Sequence, residues 1–145
     1  MKLKDLLNEV TKLSEKSKEI LISSKYNEFE DLSSLDINYD DKEELFLLEE
    51  LNNILYKIED INNKIDYLYK PIILEGKILK NESGRYQVEN YEYNSGDIIE
   101  ALVYDSNYED ERWIKTSVEH DGKDYYLVGY KGINMDGLLV RVRKC

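Results

Sequence analysis

Apolar residues recur every three or four positions in the first 25 residues, with lysines and glutamates between them. The repeating apolar positions are Leu3, Leu6, Leu7, Val10, Leu13, Ile20 and Leu21. This spacing places them on one side of an α-helix and the charged residues on the other. The pattern therefore predicts one amphipathic helix over about residues 2–25.

A second helical pattern begins near Glu43 and contains two series of apolar residues. One has heptad spacing, with Leu48, Leu51, Leu55, Ile58, Ile65 and Tyr69, and the other repeats every seven residues, with Leu47, Ile54, Ile61 and Leu68. Asp40 or Asp41 can cap the helix and Pro71 ends it. We predict a helix over about residues 41–70, about 40 Å long at 1.5 Å per residue. Its apolar side is wider than a two-stranded coiled coil requires.

A connection of residues 26–40 joins these two helices, which should pack as an antiparallel hairpin. Asn62 falls in the heptad series where an apolar residue is expected. Two interpretations stay open. Asn62 sets the register of the helix pair, or it faces solvent at a gap in the packing.

The pattern changes to alternation after Pro71, the only proline, and all seven glycines occur in this second half. Alternation of apolar and polar residues predicts half-buried strands. The predicted strands are 72–79, 85–91, 98–104, 112–119, 123–130 and 138–143, separated by turn signals that include Asp121-Gly122 and Asp136-Gly137. The chain is therefore predicted as an α+β protein. An N-terminal antiparallel helical hairpin (1–70) precedes a small antiparallel SH3-like β-barrel (71–145).

The Asp121-Gly122 pair predicts a hairpin with a two-residue loop, which sets the register of its strands. In that register Val118 pairs with Tyr125 on the core side. Trp113 then lies opposite Tyr130 on the outer side, where Tyr126 also points. Three alternatives are open for this aromatic patch of Trp113, Tyr126 and Tyr130: the helical half covers it, it binds a partner, or it stays partly exposed to water.

Charge and cysteine content narrow the classes of function. Twenty lysines and arginines against 31 aspartates and glutamates give a net charge of −11, which opposes binding to nucleic acid phosphates or an anionic membrane. A basic protein is the more natural partner. Cys145 is the only cysteine, so no disulfide forms within the chain. With neither a signal peptide nor a membrane span in the pattern, a cytoplasmic location is expected.

The sequence contains no recognisable catalytic or metal-binding motif. His120 is the only histidine and lies beside a turn, where a solvated side chain needs no partner. Asp36, Asn38 and Asp40 have the spacing of the first calcium ligands, but Asp41 replaces the required Gly and Leu47 the required Glu. We therefore expect no enzyme activity, no cofactor and no metal.

An acidic segment is the most unusual feature of the chain. Ten carboxylates lie between residues 28 and 50, against one lysine, Lys42. With Tyr26, Phe29 and Tyr39 as apolar anchors, they are able to imitate nucleic acid phosphates toward a basic groove. The alternative is a solvated acidic loop with ordinary helix capping. The candidate partner-binding residues are Glu28, Glu30, Asp31, Asp36, Asp40, Asp41, Glu43 and Glu44.

Basic residues cluster only at the C-terminal end. Alternation points Val140 and Val142 inward and places Arg141 and Arg143 on the outer side. Together with Trp113, these arginines allow a small nucleic-acid surface, although the overall charge argues against it.

Residues from about 74 to 143 resemble a short bacterial domain family of unknown function that is often found in phages and other mobile elements. The likeness is carried by LEGKI, ESGRYQVENYEYNSGDIIEALV, RWIKTSVEH and KDYYLVGYKGINMDGLLVRVR. It covers none of the helical half, and its motifs are turns and core positions. The resemblance implies a fold and a genomic setting, and no catalytic residue.

These observations favour a non-enzymatic interaction protein of mobile-element origin. Its most specific form is an acidic inhibitor of the anti-CRISPR type that binds a basic effector such as an RNA-guided nuclease. Two alternatives stay open: a small nucleic-acid-binding regulator that uses the barrel face, and a structural homo-oligomer, such as a homodimer, formed through the helical hairpins.

Overall fold

The computed structural model describes residues 1–144, so Cys145 lies outside the described part of the chain. The chain divides into two compact units, a helical unit of Met1–Tyr69 and a β unit that begins at Lys70. The predicted order, helices followed by antiparallel strands, is confirmed. Each unit is described by itself.

The helical unit contains two long helices, α1 (Leu3–Ser23) and α3 (Lys42–Tyr69), with the single turn α2 (Tyr26–Phe29) between them. The two long helices are antiparallel. The hydroxyls of Thr11 and Tyr69 are 2.7 Å apart at one end, and Leu21 and Leu55 belong to the same buried cluster further along. The predicted antiparallel hairpin is therefore present, with α2 inside the predicted connection.

The core of the helical unit lies at the connection end of the hairpin. Its buried members are Leu21, Tyr26, Leu32 and Leu55, with Leu48 and Ile58 packed against them. Leu32 belongs to the connection, and its backbone N–H donates to Oδ1 of Asn52 in α3, 3.1 Å away. Leu32 and its backbone N–H thus both help to attach the connection to α3.

Asn62 does not face solvent, because it is only 4% exposed and lies between the two helices. Its Oδ1 accepts hydrogen bonds from the hydroxyls of Ser14 (2.7 Å) and Ser17 (3.0 Å) of α1. Of the two interpretations, the solvent-facing one is wrong. A buried amide that is hydrogen-bonded to two specific serines of the facing helix favours a single register of the helix pair.

Within residues 70–144 the β unit has eight short strands where six were predicted. They are β1 (Ile72–Lys77), β2 (Leu79–Lys80), β3 (Tyr86–Val88), β4 (Tyr91–Glu92), β5 (Ile98–Asp105), β6 (Asp110–His120), β7 (Tyr125–Leu127) and β8 (Leu139–Arg143). They form a five-stranded antiparallel sheet in the order β1-β8-β5-β6-β7 and a three-stranded sheet in the order β2-β3-β4. The first predicted strand is divided into β1 and β2, and the second into β3 and β4.

A closed barrel is not found in the described residues, because no pairing there joins the edge strands β1 and β7. The chain leaves the five-stranded sheet at Ile78. The N–H of Ile78 donates to the carbonyl of Leu138 (2.9 Å), and its own carbonyl accepts from the N–H of Gly137 (2.7 Å). Residues 79–92 then pair only with one another.

Side chains of both sheets share one hydrophobic core. Its fully buried members include Ile78, Val88, Tyr93, Ile99, Val118, Leu127, Met135 and Val140. A Cβ at Gly76 of β1 would lie 3.1 Å from Cγ2 of Val88 in β3, so the missing side chain allows close approach of the two sheets. The predicted inward direction of Val140 and Val142 is confirmed, since both are buried.

The predicted register of the β6–β7 hairpin is wrong by two residues. His120 pairs with Tyr125 and Val118 with Leu127, so the loop has four residues, 121–124. The Asp121 side chain determines this loop, because its Oδ1 accepts the backbone N–H groups of Lys123 (2.9 Å) and Asp124 (3.0 Å). A shift of two leaves the side chains of β7 itself on their predicted faces.

Candidate interaction surfaces

The acidic segment, residues 28–50, covers the connection and the first turns of α3. Part of its charge supports the local structure. Oδ1 of Asp41 accepts the N–H groups of Glu43 (2.9 Å) and Glu44 (3.4 Å), which is a helix N-cap. Glu44 is half-buried and accepts the N–H of Asn38 at 2.8 Å. The Ser33 hydroxyl and backbone N–H donate to Asp31 and hold the pKa of its carboxyl below the ordinary value.

The other five candidate carboxylates are exposed and have no such role. They form no side-chain hydrogen bond or ion pair with any residue of the described chain, and they are Glu28, Glu30, Asp36, Asp40 and Glu43. Three of the eight predicted residues are thus explained by the fold of the segment itself. The remaining five present negative charge that is in no ion pair within residues 1–144.

Exposed apolar side chains lie among these carboxylates. Phe29 is 51% exposed, and Tyr39 and Phe46 are each 63% exposed. The prediction that Tyr26 is a third exposed apolar anchor beside Phe29 and Tyr39 is wrong. Tyr26 is 4% exposed and belongs to the core, because its ring packs with Leu21 and Leu32.

The sequence patterns did not identify Phe46, nor a shallow depression of about 130 Å³ that residues near Phe46 in the sequence help to line. The depression is lined by Leu32, Leu35, Asp36, Ile37, Glu44, Leu47, Leu48 and Leu51. The position of Phe46 among Glu43, Glu44 and Glu49 was the available signal, since an aromatic residue in an acidic helix turn has no capping role. One side of the depression is formed by the connection, whose Leu32 packs against α3.

The predicted aromatic patch is only partly assembled. Trp113 in β6 and Tyr126 in β7 lie on the outer face, whereas Tyr130 lies beyond the end of β7 and packs against the core. Tyr130 therefore does not lie opposite Trp113, because β6 pairs with β7 only from Val118 to His120. Positive φ at Gly129 (79°) turns the chain out of the strand before Tyr130.

Trp113 has a different neighbour, the guanidinium of Arg141, whose Cζ lies 4.2 Å from the ring centroid. Arg141 and Arg143 both donate to Glu100 of β5, with Nε of Arg141 2.8 Å from Oε1 and Nε of Arg143 2.5 Å from Oε2. Glu100 is 6% exposed although it lies on the outer face of β5. The arginines predicted to face outward do so, and both are engaged in this Arg-Glu-Arg network.

His120 is exposed, as expected for a turn histidine. Its Nδ1 accepts the backbone N–H of Gly122 at 3.0 Å, and its ring contacts Tyr125 edge-on at 4.7 Å. These contacts support the 121–124 loop. No group of three or more His, Cys, Asp or Glu residues within residues 1–144 is arranged to hold a metal ion.

The loop carboxyl of Asp121 is expected to titrate far below an ordinary aspartate. Hydrogen bonds from the backbone N–H groups of Asp124 and Lys123 lower its pKa from 3.8 to about 2. Because the folded pKa lies below the unfolded one, this carboxylate stabilises the folded state above about pH 4 and loses that effect as the pH falls toward 2. Carboxyl ¹³C NMR should show its midpoint near 2. A midpoint near 4 would contradict the loop geometry, and Asp121→Asn, which keeps the acceptor oxygen, should preserve the loop without the titration.

Part of the chain matches a known family. Residues 76–142 match the model of a family described as Domain of unknown function (DUF5348). The resemblance expected from the sequence is thus confirmed as similarity to a family of unknown function, and the match lies entirely within the β unit. Neither the curated proteins nor the solved structures contain a match to this chain. Within residues 1–144, none of the helices combines the length and the apolar composition that a membrane span requires.

Proposed function

We propose that this chain is a non-enzymatic interaction protein whose acidic segment binds a basic protein that handles nucleic acid. The observation that carries the proposal is the set of five exposed carboxylates without internal partners, interspersed with Phe29, Tyr39 and Phe46. Carboxylates that take part in no internal ion pair are available to a partner without breaking contacts of the folded chain.

Charge and apolar anchors have separate roles in this binding. The negative field of a chain with net charge −11 accelerates encounter with a basic groove. Affinity then depends on a few apolar side chains that enter pockets of the partner, and exposed aromatic residues are the usual anchors. Phe29, Tyr39 and Phe46 fit that role because each is at least half exposed.

The most specific form of the proposal is an inhibitor of the anti-CRISPR type, encoded by a phage or another mobile element, that binds an RNA-guided nuclease in the cytoplasm of its host. Its supports are the acidic charge and the mobile-element setting that the sequence resemblance of residues 74–143 implies. The absence of an enzymatic role is part of the same proposal. In favour of this absence, His120, the only histidine, accepts a hydrogen bond from the backbone of its own hairpin loop, which gives it a structural role.

The β unit acts, in this proposal, as a small barrel-like scaffold of SH3-like size. In support, its two sheets share one core and approach closely at Gly76 and Val88. The alternative of nucleic-acid binding through Arg141 and Arg143 is less favoured. Both guanidinium groups are bound to Glu100, so their charge is already partly neutralised.

The test compares two variants that remove five negative charges each. The first replaces the five unpaired carboxylates of the acidic segment by amides: Glu28→Gln, Glu30→Gln, Asp36→Asn, Asp40→Asn and Glu43→Gln. The matched control replaces exposed glutamates elsewhere: Glu15→Gln, Glu75→Gln, Glu82→Gln, Glu109→Gln and Glu111→Gln. Affinity capture from the host at low and high salt, with mass spectrometry, identifies the partner of the wild-type chain.

We expect a basic nucleic-acid-handling protein that is recovered at low salt and reduced at high salt. The acidic-segment variant should lower its affinity by about tenfold or more, while the control stays close to wild type. Equal loss in both variants would show that only net charge matters. Recovery of nucleic acid in place of a protein would favour the β-unit alternative and oppose the proposal.

A further inference from the structure

An apolar groove of about 250 Å³ runs between α1 and α3 on the helical unit. Its apolar walls are Val10, Leu13 and Ile20 from α1 and Ile58, Ile61 and Ile65 from α3. Leu13 is 70% exposed, Ile61 53% and Ile20 47%. The groove is therefore an open surface between the helices and not an interior cavity.

The exposed walls continue along both helices with the same period. In α1 the exposed apolar positions Leu6, Leu13 and Ile20 are seven residues apart, and in α3 so are Leu47, Ile54 and Ile61. Six aliphatic side chains, each about half exposed or more, present on the order of 500 Å² of apolar surface, which is large for a monomer surface and close to one side of a small protein interface.

A buried polar group at this groove also lacks a partner. Asn62 lines the groove, and its Oδ1 is satisfied by Ser14 and Ser17. Its amide nitrogen Nδ2 is buried and has no hydrogen-bond acceptor within residues 1–144. A buried N–H without an acceptor is unfavourable, so a molecule that fills the groove gains by bringing an oxygen to it.

We infer that the occupant is a second copy of this chain and that two helical hairpins associate face to face as a four-helix bundle. A seven-residue period on two antiparallel helices is the pattern that packs against helices of equal period at a small crossing angle. A second copy has that period on both of its helices.

The charges of the two helices select how the copies pair. Helix α1 contains four lysines and four carboxylates, whereas α3 contains three lysines and seven carboxylates. Placing α3 beside α3 of the second copy would bring two strongly acidic helices together. The favourable arrangement packs α1 of each copy against α3 of the other, which a two-fold axis produces at both contacts.

This inference is independent of the proposed function, because it is tested on the purified chain alone. The measurement is the molar mass of the full-length chain by sedimentation equilibrium from about 1 to about 100 μM, under reducing conditions that exclude cross-links through Cys145. We expect the mass to rise from the chain mass of 17.2 kDa toward twice that value. A monomer across the whole range overturns the inference.

The location of the contact is tested with Ile61→Lys and with Tyr56→Lys as its matched control. Both residues lie in α3 and are exposed, but only Ile61 lines the groove. Ile61→Lys should weaken association by about 100-fold because it places a charge in the apolar contact. Tyr56→Lys should leave it unchanged, and circular dichroism should show full helix content for both. Association that survives Ile61→Lys unchanged also overturns the inference.

Discussion

Leu32→Ala is expected to lower the free energy of unfolding of the helical unit by about 3 kcal/mol, the usual cost of removing a buried leucine and leaving a cavity. Leu32 is 2% exposed and packs in the cluster with Leu21, Tyr26 and Leu55. Far-UV circular dichroism during urea unfolding measures the helical unit, because all helices of the described chain lie there. Fluorescence of Trp113, the only tryptophan, reports the β unit separately.

The same substitution links stability to the proposed function. Leu32 is the most buried side chain between α2 and α3 and packs with Leu55 of α3, so its loss should also loosen the segment that carries Glu30, Asp31 and Asp36. Hydrogen exchange of residues 30–40 should accelerate more than exchange in the middle of α3. Leu35→Ala is the control in the same connection, because Leu35 is 42% exposed, and we expect it to cost less than about 1 kcal/mol. Equal effects of the two substitutions would contradict this role of Leu32.

Glu100→Ala is expected to destabilise the β unit by about 3 kcal/mol, because it leaves two guanidinium groups with low exposure and no carboxylate between them. The side chains of Arg141 and Arg143 are 20% and 16% exposed, and that of Glu100 is 7% exposed. Trp113 stacks on Arg141, so its fluorescence should respond both to the substitution and to unfolding. Urea unfolding followed by this signal gives the change in free energy.

Two further variants distinguish the loss of the Arg-Glu-Arg network from the loss of any one negative charge. Glu111→Ala removes an exposed carboxylate from the neighbouring strand β6 and should change stability by less than about 0.5 kcal/mol. In a double-mutant cycle, Glu100→Ala and Arg141→Ala should be less costly together than the sum of the single effects, by about 1 kcal/mol or more. Additive effects would refute the proposed coupling between these two side chains.

The helical unit was largely predictable because its information is local. The apolar period, a cap at Asp40 or Asp41 and Pro71 together predict a helix over about 41–70, and the helix found is Lys42–Tyr69. Antiparallel packing follows from the short connection. The position of Asn62 was not predictable, since its burial depends on serines 45 and 48 residues earlier in the chain that face it across the hairpin.

In the acidic segment, too, the sequence predicted a general property but not the role of each side chain. Its charge was evident from composition, but its division into structural carboxylates and unpaired ones was not. Asp31 and Glu44 are used by turns whose geometry the sequence only partly indicates. Tyr26 looked like a surface anchor because it lies among polar residues, yet the fold of the connection places it in the core.

By itself, the sequence determined the two long helices, the presence of antiparallel strands, the inward and outward faces of β8 and the excess of negative charge. Each of these depends on spacing along the chain or on composition, which local sterics and solvation convert directly into structure. Only the tertiary structure decided the four-residue loop at Asp121, the two open sheets, the engagement of Arg141 and Arg143 by Glu100, and the open groove beside Asn62. These features depend on which distant segments become neighbours, and sequence spacing does not specify that choice.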